Sequence, residues 1–295
     1  MRVFVTGASG FIGSNVVPEL IEHGHTVLGL ARSDDGAAKV EAMGAEVLRG
    51  DIYDLDSIRK GAADSEGVIH LAFNHDFSTF VENMQQDRTV IEAIADVLTG
   101  TDFPLSIASG VAGLKIGAVS TELDGQTVEE GPAGIRRNTG IYTLGLKTHG
   151  IRSSIVRLAP TVHNQSKEGF VGHMVDVSRE SGVAGYVGDG SQRWPAVNVT
   201  DAASLFRLAV ENAPAGSTLH GVGEGAVTIR SIAETIGRHL ALPVQSVEAE
   251  HYGWLGSFVS LDTPSSNDLT RELLGWEPTH AGLIEDLDNG HWFDD

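Results

Sequence analysis

A doubly wound parallel α/β sheet with a small mixed carboxy-terminal lid is the fold class that this 295-residue sequence predicts. Three observations predict it. Short β-branched runs alternate with helical stretches over the first 70 residues, a glycine-rich turn joins the first run to the first stretch, and the alternation loosens after Pro160. Alternation of this kind implies a parallel sheet with helices on its faces. The length suits one large α/β domain or a cofactor domain with a smaller partner.

Taken in order, Val3-Phe4-Val5 reads as a strand, Ile12 to Glu22 as a helix, Thr26 to Leu30 as a strand, and Ala37 to Met43 as a helix. Glu46 to Leu48 and Val68 to Leu71 follow as strands. Helical stretches around Asp87 to Leu98 and Ile141 to His149 precede strands at Leu105 to Ala108 and Ser154 to Leu158. Val197 to Val199 is a further strand candidate, which carries the sheet past six strands. Beyond it come a helix at Ala202 to Glu211, a loop from Asn212 to Gly225, and a helix at Ile229 to Leu240, with glycine-rich turns earlier at Gly182 to Gly190. This divides the chain into a nucleotide-binding unit at 1–160, completed by about 193–211, and lid segments at 161–192 and 212–295. Pro18 lies inside the first helix, where it removes a hydrogen bond to Ser14 and costs about 3 kcal/mol, so a kink is expected there.

Composition excludes several classes. With no cysteine, disulfides, thiolate zinc sites and a thiol nucleophile are impossible. A formal charge of −20 lacks the basic footprint that nucleic acid needs. No apolar run approaches a membrane span, and the chain enters its first strand and glycine turn without room for a signal-peptide core, so a cytoplasmic location is expected. Any anionic ligand must be held by a local exception to the acidic field.

Thr6-Gly7-Ala8-Ser9-Gly10-Phe11-Ile12-Gly13 supplies one. Gly7 permits a tight turn off the strand, Gly10 lets backbone approach a pyrophosphate, and Gly13 lets the helix lie close to the sheet. The helix amino terminus then points amide donors and its positive dipole end at the phosphates. The strand-turn-helix context is what a Rossmann-type dinucleotide site requires, with Gly7, Ser9, Gly10, Phe11, Ile12 and Gly13 as its candidate residues. About 20 residues on, an acid would select a ribose hydroxyl and an arginine a 2′-phosphate. The second strand ends in Ala31-Arg32-Ser33, so Arg32 and Ser33 favour NADP over NAD, while Asp34 and Asp35 argue the other way. Asp51 and Ile52, after the third strand, suit the adenine; a helix cap at Asp51 is the alternative.

The TGASGFIG turn resembles the extended short-chain dehydrogenase/reductase superfamily of NAD(P)-dependent epimerase/dehydratase type. So do Gly50-Asp51-Ile52, His70-Leu71-Ala72, Ser109-Gly110, Val156-Arg157-Leu158 and Leu274-Gly275-Trp276-Glu277-Pro278. The resemblance covers nearly the whole chain and implies that Leu71 and Ala72 line the cofactor. It also implies a Ser or Thr, a Tyr, and a Lys four residues after the Tyr, because that spacing stacks Tyr and Lys on one helix face, about 40° apart. Here Tyr142 and Lys147 are five apart, which turns them about 140° away from each other. Counting back from Arg157, the Tyr slot falls near Glu130 to Gly134 and the Lys slot near Arg136, Arg137 and Asn138. The chain thus resembles an atypical branch without a clear Tyr-x-x-x-Lys pair.

Ser109, at the end of strand five, and His163, beyond strand six, are the catalytic candidates. A Ser-Gly turn and a hydrogen-bonding loop histidine are the bland alternatives. His70, Asn74, His75 and Asp76 superficially suggest a metal cluster, but they read better as the irregular stretch lining the cofactor groove, and no metal is expected. His173, Trp194 and Trp254 are candidates to shape the substrate pocket. These residues point to an NADP-dependent oxidoreductase acting on the carbonyl or alcohol of a small molecule, and a homodimer is compatible with them. A non-catalytic NADP-binding redox sensor and an epimerase/dehydratase are the alternatives.

Overall fold

The computed structural model describes residues 1–76, 79–131 and 134–294. Its first half alternates as β1 (Arg2–Thr6), α1 (Gly13–Glu22), β2 (Thr26–Ala31), α2 (Asp34–Ala42), β3 (Glu46–Arg49), α3 (Leu55–Ala63), β4 (Gly67–His70), α4 (Phe80–Leu98), β5 (Pro104–Gly110), α5 (Ile135–Gly145) and β6 (Arg152–Leu158). A single 3-10 turn, Leu146–His149, separates the last two. The second half runs β7 (Thr161–His163), α6 (Gly169–Ser181), β8 (Ala184–Val187), β9 (Arg193–Asn198), α7 (Val199–Asn212), β10 (Ser217–Gly221), β11 (Glu224–Thr228), α8 (Ile229–Leu240) and β12 (Val244–Val247). Three short helices close it: α9 (Gly256–Val259), α10 (Asp268–Leu274) and α11 (Leu283–Asn289).

The principal sheet has seven strands in the order β10-β6-β5-β4-β1-β2-β3, and every pair in it is parallel. Period-two alternation explains its two faces. Val3 and Val5 turn toward α1 and α7, where they pack with Val16, Val17, Leu20, Phe206 and Val210. Phe4 turns the other way, into a cluster with Ile58 of α3 and Val90, Ile91 and Ile94 of α4. Both faces are therefore covered, as a parallel sheet requires. A second core joins the lid: the three-stranded sheet β11-β9-β7 and the pair β12-β8 enclose Met174, Trp194, Ile232, Ile236, Tyr252 and Leu287. Among the described residues no helix is long and apolar enough to cross a membrane.

Two departures from the sequence expectation have physical causes. The stretch after β3 contains α3, which begins where the Asp54 carboxylate accepts from the amides of Asp56 and Ser57. Asp51 is thus not that cap; its Oδ1 accepts from the Tyr53 amide in a tight turn. The seventh strand of the main sheet is β10, inside the segment expected to be lid loop, whereas β9, expected to complete the main sheet, belongs to the small one. Ser-Thr-Leu-His-Gly has the composition of a loop, and its extended form is set by pairing with β6, for example Leu219 with Val156. Helix α1 continues through Pro18, with Val16, Val17 and Leu20 buried around it.

Candidate active site

The carboxyl ends of the parallel strands gather the candidate residues, which is where open α/β sheets place their ligands. At the end of β1, Gly7 adopts a left-handed φ of +69°, and a Cβ there would stand 2.8 Å from the Ala72 amide nitrogen. Gly13 begins α1 so close to the turn that a Cβ would meet the Gly7 carbonyl at 2.1 Å. No other residue fits either position. The residue capping α1 is Ile12, whose side chain makes no cap bond, and the first turn carries no acid. No side chain of the helix itself caps its positive end, and the residues present fit a pyrophosphate.

The neighbouring strand end is held by a buried polar chain. The Thr6 hydroxyl oxygen accepts from the amides of Leu71 and Ala72, both at 3.2 Å, and its O–H donates to His70 Nδ1 at 2.7 Å. His70 then carries its proton on Nε2 and donates to Asp87 Oδ1 at 3.2 Å. The other oxygen of Asp87 lies 3.9 Å from Arg136 Nη1. The turn, the end of β4 and helices α4 and α5 are thus tied together through side chains.

A cleft of about 1020 Å³ opens from this point. Gly7, Gly10, Phe11, Ile12 and Gly13 line it at the end of β1, Leu71 and Ala72 at the end of β4, and Ser109 on β5, in the order that the strands take in the sheet. Phe170, Trp254 and Phe258 form the far wall, where the Phe170 ring lies 5.6 Å from Trp254 and 5.3 Å from Phe258. Of the other aromatic candidates, His173 stacks 5.1 Å from Trp254, and Trp194 is buried in the lid core, donating to the Phe258 carbonyl. His75 also lines the cleft; desolvation by the surrounding wall, and then the Arg136 charge, hold its pKa below the usual imidazole value.

Arg32, Ser33, Asp51 and Ile52 assemble separately, at the ends of β2 and β3. The Arg32 side chain is 80% exposed and lies 3.7 Å from Asp51 Oδ2. The Ser33 hydroxyl caps α2 by accepting from Gly36, and Ser9 lies beside the same turn. Arg49, which sequence reasoning passed over, donates to the carbonyls of Ser33 and Arg32 and pairs with Asp34 at 2.9 Å. The Ile52 carbonyl accepts from Gln86.

His163 is not part of the cleft wall. It is 1% exposed, its Nδ1 bonded to Asp286 Oδ2 at 2.7 Å. Burial is the first cause that lowers its pKa. Tyr142 packs beneath the Arg88 guanidinium, 3.4 Å from its ring centre, and Lys147 is exposed in the 3-10 turn; neither lines the cleft. Positions 132 and 133, in the expected Tyr slot, lie outside the described residues. The expected Lys slot is informative instead, because Arg136 and Arg137 both line the cleft.

Residues 3–102 match the model of the NAD dependent epimerase/dehydratase family. An uncharacterized protein of Schizosaccharomyces pombe is 46% identical over 299 residues, covering 99% of this chain and all of that protein.

The chain belongs to the NAD-dependent epimerase/dehydratase family.

An uncharacterized protein of Saccharomyces cerevisiae is 42% identical and covers 97% of this chain and 98% of its own. Among solved structures of the fold is a dTDP-glucose 4,6-dehydratase from Streptomyces venezuelae with NAD and TYD bound. It is 20% identical, has a TM-score of 0.77, and covers 99% of this chain and 97% of that one. Membership of this epimerase/dehydratase family supports an enzyme that uses a nicotinamide dinucleotide, and the family fold accounts for the cleft at the strand ends.

Proposed function

We propose that this chain is an NADP-dependent oxidoreductase that moves a hydride between nicotinamide and the carbonyl or alcohol carbon of a small organic substrate. The observation that carries the reading is the continuity of one cleft from the glycine turn, past Ser109, to the aromatic wall of Phe170, Trp254 and Phe258. In this reading Gly7, Gly10 and the start of α1 hold the pyrophosphate, and Leu71 and Ala72 pack along the cofactor. Arg32, with Arg49 behind it, faces the 2′-phosphate, and Asp51 with Ile52 flanks the adenine. The bound cofactor supplies the two-electron hydride chemistry. The chain's own work is to orient the substrate: the Ser109 hydroxyl donates to the substrate oxygen as the carbonyl becomes an alkoxide, and a solvent proton completes the alcohol.

Purified protein is tested with NADPH and NADH by calorimetry, then with NADPH and a panel of aldehydes and ketones by loss of nicotinamide absorbance. Tighter NADPH binding and turnover of panel members support the proposal. Binding without turnover would favour a redox sensor, and conversion of UDP-glucose an epimerase or dehydratase.

A further inference from the structure

Three arginines, Arg136, Arg137 and Arg157, line the same cleft as Ser109 in a chain whose net charge is −20. Ser109 and Arg157 are register partners on β5 and β6, so their side chains leave the sheet on the same face. Arg157 is 3% exposed, and among the described residues it donates to neutral groups, the carbonyls of Asp124 at 2.8 Å and Gly125 at 3.3 Å. Burial, and then the neighbouring Arg137 charge, push its pKa down to about 10. Arg137 donates to the Gly113 carbonyl at 2.9 Å and pairs with Glu129. Arg136 donates to the carbonyl of Ala108, the residue before Ser109, at 3.3 Å, and rests 4.1 Å over the Phe73 ring. Among the described residues its buried Nη1 has no hydrogen-bond partner, with Asp87 standing off at 3.9 Å.

Among the described residues lining the cleft, the carboxylate is Glu168; behind the lining Glu129 pairs with Arg137 and Asp87 stands 3.9 Å from Arg136, so the group left without a close anionic partner is the Arg136 guanidinium, beside the buried Arg157. Cations desolvated and crowded together cost free energy unless an anion joins them. In the proposed cofactor site the phosphates go to the glycine turn at the end of β1, three strands from Arg157 on β6, so they do not meet this need. The unmet partner therefore belongs to the substrate.

We propose that the substrate is a carbonyl acid, its carboxylate held by Arg136 and Arg137, its carbonyl by Ser109, and its apolar body by Phe170, Trp254 and Phe258. A carboxylate offers two coplanar oxygens to the guanidinium fork. The assignment rests on the oxidoreductase reading of the same cleft and names what that reading leaves open.

The test compares 4-formylbenzoate with its methyl ester, which keeps the ring and the aldehyde and removes the charge. At saturating NADPH, kcat/KM for the acid is expected to exceed that for the ester by about tenfold or more. Arg136→Met and Arg137→Met bring the ratio toward one, and Arg136→Lys restores part of it. Calorimetry with benzoate and benzamide gives a second readout on the NADP-loaded protein: benzoate binds more tightly, and the Met variants lose that difference. A thermal melt of each variant shows that it is folded. Equal turnover of acid and ester in the parent chain overturns the carboxylate subsite while leaving the oxidoreductase standing. If neither aldehyde is reduced, the oxidoreductase reading fails; preferential benzoate binding still supports the subsite, and equal binding of benzoate and benzamide overturns it.

Discussion

His163 on β7 donates its Nδ1 proton to Asp286 on α11 across 2.7 Å, and Asn198 at the end of β9 donates to the same carboxylate oxygen at 3.1 Å. Three lid elements are joined at one buried atom. Burial lowers the pKa of His163 from its ordinary value, against the opposing pull of Asp286, Glu224 and Asp201, and burial likewise lowers that of His220 on β10. Each histidine's folded value lies below its unfolded value of about 6.5. The unfolded chain therefore takes up these protons first, and the stability held by the neutral imidazoles is complete above that pH and declines as pH falls through it. The thermal midpoint is expected to be level between pH 7.5 and 8.5 and to drop between pH 6.5 and 5.5. His163→Asn, which keeps a donor for Asp286 without the titration, should show a shallower drop.

Gly13→Ala tests the turn. The added methyl meets the Gly7 carbonyl at 2.1 Å, so either the turn or the start of α1 must move. A loss of about 3 kcal/mol is expected in denaturant melts, together with loss of dinucleotide binding. Gly24→Ala is the matched control for cofactor affinity. Its added Cβ meets nothing within 4 Å, and although its φ of +82° makes the substitution strained, it lies outside the turn.

Cofactor choice is read from Arg32 and Arg49. Arg32→Asn should raise the dissociation constant for NADPH about tenfold to a hundredfold, the scale of one charged hydrogen-bonding partner. NADH binding should change little. Parallel calorimetric titrations of the two coenzymes check this, and equal losses for both would remove the assignment.

Ser109→Ala is expected to lower kcat about a hundredfold, as when a hydrogen-bond donor to a developing oxyanion is removed. NADPH affinity should be retained. Tyr142→Phe, beneath Arg88 and outside the cleft wall, should leave kcat within about twofold because its ring-cation contact survives. Steady-state kinetics on the same substrate separate the two residues.

The glycine turn and the alternating strands were legible because they follow local rules. Val3 to Val5 shows the β-branched run of a buried strand, and Gly7 and Gly13 sit where no side chain fits. Strand β10 was not legible, since Ser217 and Thr218 become strand only through pairing with Ser154 and Ile155, contacts more than 60 residues away. His163 follows a proline and resembles a loop histidine; its burial depends on Asp286, 123 residues later. The Arg136 and Arg137 positions were visible as the expected Lys slot. Their convergence with Arg157 emerged only when α5 and β6 were seen side by side.

The late arrival of β10 has a consequence for biosynthesis. Until residue 221 is made and clear of the ribosome, β6 presents a bare edge, with the amides and carbonyls of Ser154 to Leu158 unpaired on that side. An open parallel edge of this kind is a template for pairing with another chain, so the docking of β10 closes the side of the sheet most exposed to aggregation.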